Sequence, residues 1–177
     1  MSGESMVRKG LNSTLYGNRL TAAVRLLLGA MLLLSGALKL PDPGQFAQVI
    51  ARYDIIPPDL VPYAAVLVPA LEALLGLLLA VGYRIRAAAC LSLLMMLAFA
   101  AFITVNLVRG RSFDCGCFEV SRLGIELVDT VSVWVVVRDL VFAAGFALVV
   151  RAQRHLFSLE YLVERSRLKN LEKPKYE

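Results

Sequence analysis

The sequence predicts an all-α, polytopic membrane protein: a four-transmembrane-helix bundle with short loops and both termini cytoplasmic. Three observations carry that prediction. The 177-residue chain is 58% hydrophobic, with a mean hydropathy of +0.67, more apolar than a soluble domain, which is about half apolar and a quarter charged. The apolar residues fall into four runs, at about 20–40, 61–82, 87–108 and 130–150. About 20 mostly apolar residues cross the hydrocarbon core as a helix, so each run is long enough. The basic residues, finally, alternate in density from one connecting segment to the next.

The first run holds Arg25 and Lys39 near its ends, where both can snorkel to the interface. It exceeds a signal-peptide core, and "LKLPDPG" lacks a small-x-small cleavage pattern. We therefore expect it to be retained. Residues 1–19, polar with Gly and Ser, are expected to be loose until the membrane begins. After the first run, "PDPGQFAQVIARYDIIPP" predicts a short helix lying as a lid on the outer end of the bundle. Asp42 caps it, Pro43 suits its first turn and Gln45 completes a capping-box-like pattern. Phe46, Val49, Ile50 and Tyr53 share one face, and Pro57 and Pro58 end it.

The second run contains a single charge, Glu72. The link "GYRIR" at 82–86 predicts a tight hairpin into the third run, in which Ala87 to Val108 carries no charge. Residues 109–129 form a polar segment with the turn "RSFDCGCFEV". The fourth run holds Arg138 and Asp139 near its middle. The tail 151–177 combines apolar positions Leu156, Leu159, Leu162 and Val163 with basic residues, as an interfacial amphipathic helix does.

Orientation follows from lysine and arginine. Segments 1–19, 83–86 and 151–177 hold 12 of them, while 41–59 and 109–129 hold 4. The first set is predicted to be cytoplasmic, which sends the 109–129 loop outward. The net charge of +5 is then a topology signal and makes no case for nucleic-acid binding.

The chain has three cysteines. Cys90 lies roughly 27 Å of helix away from the 109–129 loop, too far to bridge to it, and is expected to be a buried core thiol. Cys115 and Cys117 flank Gly116, with Asp114 and Phe118 alongside. A bridge across one residue removes almost no chain entropy, so a structural purpose is poorly served. Strained, exposed disulfides are labile and oxidising, which suits thiol–disulfide exchange. Arg109 and Arg111 favour the thiolate and Asp114 opposes it. Soft-metal binding is the competing chemistry, but the only histidine, His155, lies in the tail, so no metal site is expected. An inert bridge shaping the loop is the bland alternative.

Intramembrane Lys39, Glu72, Arg138 and Asp139 form a second candidate group, because each must find a partner inside the bundle. Glu72 and Arg138 lie at similar depth and are expected to pair. Their function is either a proton path or polar pocket, or the fixing of helix register.

These residues together resemble a known family. "RLLLGAMLLLSGALKLPDP", "VPALEALLGLLLA", "DCGCF" and "VRD" are similar to the MauE branch of the DoxX-like membrane proteins, over roughly Arg25 to Val150. The resemblance implies a four-helix membrane protein of redox pathways. MauE proteins are linked to maturation of an exported, disulfide-rich enzyme, methylamine dehydrogenase, and the resemblance implies a role in making or handling disulfides outside the cytoplasm. By position, Cys115 and Cys117 match the family's cysteine pair, and Lys39 and Glu72 its intramembrane polar positions. Glu119 departs from the glycine common after "CGCF". The expected partners are the bilayer, an exported cysteine-bearing redox protein, and a quinone or a second membrane redox protein as electron acceptor. A non-catalytic assembly factor and a small solute carrier are the alternatives. The expected location is the inner membrane.

Overall fold

The computed structural model describes residues 3–111, 113 and 131–152. Five helices account for most of them: α1 (Gly3–Lys39), α2 (Pro43–Tyr53), α3 (Val61–Val81), α4 (Ile85–Val108) and α5 (Val133–Arg151). A 3₁₀ turn, Pro58–Leu60, leads into α3. The described residues contain no strand. Four stretches are long and apolar enough to cross a membrane: Arg19–Lys39, Pro58–Val81, Ile85–Val108 and Val133–Arg151. The chain is thus an all-helical, multi-pass membrane protein.

The helices form a ring. α1 packs along α3 and α4 along α5, with slighter α1–α5 and α3–α4 contacts closing it. Small residues set the closest approach, since only they let helix backbones meet in lipid. A Cβ on Gly76 would lie 2.4 Å from the Leu33 amide nitrogen and 2.7 Å from the Gly29 carbonyl. One on Gly36 would lie 2.5 Å from the Pro69 carbonyl. Gly29 therefore faces Gly76 and Leu79 while Gly36 faces Pro69 and Ala73, which makes α1 and α3 antiparallel and fixes their register.

The core between α1, α3, α4 and α5 is apolar, built on Leu28, Leu32, Leu75, Leu79, Met96 and Phe146. Yet Arg25, Ser35, Lys39, Glu72, Ser92, Asn106 and Asp139 are buried too. Leu27, Leu34, Leu67, Leu74, Leu94 and Leu140 point outward. Leucine outside with polar groups inside is the pattern expected where lipid is the solvent and a charge must face the bundle interior. Tyr63 and Trp134, both exposed near the first turns of α3 and α5, suit a membrane interface at one end. Tyr83 suits the other.

Several local expectations hold. Asp42 Oδ1 accepts from the Gln45 amide at 3.0 Å and Pro43 opens α2. Phe46 and Val49 are buried against Ala65 of α3. The 82–86 hairpin turns through two left-handed residues, Gly82 (φ 80°) and Arg84 (φ 46°).

Others are corrected. The helix of α1 begins at Gly3, so the polar segment expected to be loose is helical. No proline interrupts it before Pro41, and each residue added to an existing helix gains a hydrogen bond. α2 ends before its prolines, at Asp54 in the left-handed conformation (φ 51°). Cys90 is exposed, not buried, because Ala88, Ala89 and Ser92 occupy the inner face of α4. A thiol, weakly polar, is tolerated toward lipid. The amphipathic tail beyond residue 152 lies outside the described residues.

Candidate functional site

The site builds up from the α1–α3 register. That register sets Ser35 opposite Glu72, and the Ser35 hydroxyl donates to Glu72 Oε2 at 2.9 Å. Lys39 sits one turn further along α1. Helix side chains lean toward the N-terminus, so its long stem leans back toward that pair. Its Nζ donates to Glu72 Oε2 at 3.0 Å and Oε1 at 3.3 Å. Both side chains are only 2% exposed. The ammonium also lies 5.0 Å above the Phe46 ring of α2, a cation–π contact.

This differs from the expected pairing. Glu72 pairs with Lys39, not with Arg138, and Lys39 does not snorkel. Arg25 is likewise buried rather than snorkelling. Arg138 bonds its own neighbour instead, with Nη2 and Nε each 3.2 Å from Asp139 Oδ1. Depth alone pointed to Glu72 with Arg138, but depth says nothing about which faces meet. Ring order places α3 against α1, and α5 reaches Glu72 only across a small cavity. That cavity measures about 40 Å³ and is lined by Ser35, Glu72, Arg138 and Asp139 among apolar neighbours such as Phe99 and Phe142. The four intramembrane polar positions are thus brought together, though in a different pairing.

A second cavity of about 80 Å³ lies between α2, α3 and α4. Lys39 forms part of its lining, and Phe46, Val49, Ile50, Tyr53, Phe99 and Phe102 supply apolar and aromatic wall. Lys39 lines one cavity and Glu72 the other, so their ion pair stands between the two.

The same end of the bundle holds the start of the cysteine-bearing segment. Asn106 Nδ2 donates to the Tyr53 carbonyl at 3.2 Å. Arg109 Nη1 donates to the Asp54 carbonyl at 3.4 Å, and Arg111 Nη1 to the Arg52 carbonyl at 3.3 Å. Arg111 Nη2 also bonds Asp54 Oδ2 at 2.9 Å. These donors satisfy the carbonyl-rich end of α2, where cations are favoured. The two arginines considered as thiolate stabilisers are therefore occupied in clamping α2 to the end of α4. Beyond them, Phe113 packs edge-on against Tyr53, with ring centroids 5.0 Å apart. Its carbonyl accepts from the Val131 amide at 2.8 Å, closing the base of the loop.

Asp114, Cys115, Gly116, Cys117 and Phe118 lie outside the described residues. No group of three or more metal-ligating side chains occurs among the described ones. Sequence reasoning passed over Ser35, Asn106 and the Arg111–Asp54 pair. Ser35 carried a signal, being a hydroxyl one turn before Lys39 in an otherwise apolar run. The Asn106 and Arg111 contacts join positions more than fifty residues apart and carried none.

The family model described as "Methylamine utilisation protein MauE" matches residues 17–152. The methylamine utilization protein MauE of Paracoccus denitrificans is 31% identical over 123 residues, covering 69% of this chain and 63% of that protein. That of Methylophilus methylotrophus is 35% identical over 102 residues, 54% of each chain. The matched part therefore spans less than two thirds of these relatives' own length. No solved structure matches the chain. By the extent of the family match, the chain belongs to the MauE family.

Proposed function

We propose that this chain is an inner-membrane thiol–disulfide redox protein that supports disulfide formation in an exported redox enzyme, as part of methylamine utilisation. Its relatives are named for methylamine utilisation, and the Cys115–Gly116–Cys117 turn supplies the chemistry. In this reading the Cys115–Cys117 disulfide accepts attack by a thiolate of the partner, giving a mixed disulfide. The partner's second thiolate resolves it, leaving the partner oxidised and Cys115 and Cys117 as thiols. A membrane-soluble two-electron acceptor, a quinone or a second redox protein, then takes two electrons and two protons from the pair and restores the disulfide.

The observation that carries the proposal is the anchoring of Phe113 on Tyr53. Cys115 follows Phe113 by two positions in the sequence. A redox turn needs such a tether to meet both an outside partner and a membrane acceptor. Labelling in intact cells with a membrane-impermeant maleimide tests it. The pair should label only after prior reduction, and replacing both cysteines with serine should abolish maturation of the partner. Full maturation with the serine variant would leave the chain an assembly factor whose cysteines are dispensable.

A further inference from the structure

We propose that the cavity of about 40 Å³ between α1, α3, α4 and α5 is a binding site for internal water, which joins the Lys39–Glu72 and Arg138–Asp139 pairs into one network inside the membrane. Its occupancy is independent of the thiol chemistry proposed above.

Both ion pairs reach the cavity wall. Ser35 lines it from α1, Glu72 from α3, and Arg138 and Asp139 from α5. Glu72 is 2% exposed and Asp139 3%, so any solvent for them must come from inside the bundle. A carboxylate has about four acceptor positions. On Glu72, Oε2 takes Ser35 at 2.9 Å and Lys39 at 3.0 Å, while Oε1 takes only the longer Lys39 contact at 3.3 Å. Oε1 therefore keeps capacity for a further donor. Arg138 does not supply it directly, since its guanidinium bonds Asp139.

Size and charge select the ligand. A water needs about 10–15 Å³ of cavity volume and two to four polar partners. The cavity has room for about three by that measure, and the four polar side chains supply the partners. A benzene-sized ring needs a cavity of about 150 Å³ and does not fit. The two cationic and two anionic side chains balance, so a bare ion of either sign meets no surplus of opposite charge. Water donates to a carboxylate and accepts from a guanidinium with the same molecule. It can thus link Glu72 on α3 to Arg138 on α5. Leu28, Leu32, Met96 and Phe146 make the rest of the wall apolar, which confines the water to the polar side. Such water is costly to remove once it bonds buried polar groups, and it offsets the cost of holding charges in lipid.

Two methionines on the wall, Met31 and Met96, report on it. The test is X-ray radiolytic footprinting of the full chain in lipid nanodiscs, read by mass spectrometry as methionine sulfoxide. Hydroxyl radicals formed from water in the cavity oxidise the side chains beside it before they diffuse away. Met96, 8% exposed, should be oxidised severalfold faster than its neighbour Met95, which packs against the core without lining the cavity. The double variant Arg138→Met/Asp139→Leu removes the polar wall of α5 without leaving a lone charge, and should bring Met96 down to the rate of Met95. Thermal unfolding confirms that the variant is folded, and the comparison within the parent needs no variant. Joining of the pairs is read by combining this variant with Lys39→Met/Glu72→Gln, whose stability losses should not add. Oxidation of Met96 no faster than Met95 in the parent, or undiminished in the folded variant, overturns the water site. Strictly additive losses overturn the network.

Discussion

Removing either member of the Lys39–Glu72 pair should cost far more than removing both. The two charges lie 3.0 Å apart and 2% exposed. At an effective dielectric of about 20 their attraction is about 5.5 kcal/mol, in line with the ~3–5 kcal/mol lost when one partner of a buried pair is deleted. Lys39→Met leaves the Glu72 carboxylate held by the Ser35 hydroxyl at 2.9 Å but without its cation. Glu72→Gln leaves an ammonium facing an amide. Each single change is expected to destabilise by about 3 kcal/mol or more. The double variant buries no uncompensated charge, and its glutamine can keep the bond to Ser35, so it should fall within about 1 kcal/mol of the parent. Equilibrium unfolding in mixed micelles, followed by far-ultraviolet circular dichroism, gives the four stabilities of the cycle. Two small single-site losses that simply add in the double variant would show that the pair is uncoupled, and the reasoning would be refuted.

Further outcomes follow from the same packing. Gly76→Ala should destabilise by about 3 kcal/mol or more, because its Cβ meets the backbone of Leu33 and Gly29 at 2.4–2.8 Å and overpacking costs about 1–3 kcal/mol even where side chains can move. Gly44→Ala, whose nearest contact is 3.4 Å, serves as its control in the same unfolding assay. Asp42→Ala removes the bond to the Gln45 amide and should cost about 1 kcal/mol; Asp42→Ser keeps a capping oxygen and should lose little of it. Arg111→Ala breaks an ion pair whose partners are 40% and 70% exposed, and the unfolding midpoint should barely move, the loss being under about 1 kcal/mol. In nanodiscs Cys90 should react with a small lipid-soluble maleimide, read by intact mass. Protection of Cys90 would mean that another subunit covers the outer face of α4.

Much of the candidate site was legible in residue types. Glu72 and Lys39 stood out because a charge inside an apolar run must be partnered. Their pairing was not legible, because hydrophobic runs report depth and leave azimuth open. Lys39 looked like a snorkelling end residue, and the difference lies in where α2 sits. By packing Phe46 over the ammonium, α2 encloses a position that would otherwise reach the interface. Cys90 shows the same gap: its run is apolar on every side, so no periodicity told inside from outside. The arginines at 109 and 111 read as neighbours of the cysteines along the chain, and only the fold brought them to the end of α2.

Helical class, the four long apolar runs, the cap of α2 and the need to bury Glu72 and Asp139 are contained in the order of residues along the chain. They follow from run length, from short-range hydrogen bonding and from the cost of a charge in lipid, all of which act within a few residues. Which charge meets which depends instead on helices far apart in sequence. Where glycines let α1 and α3 close to backbone contact, the register follows, and that register put Ser35 and Lys39 on Glu72 and left Arg138 to Asp139 across a small cavity.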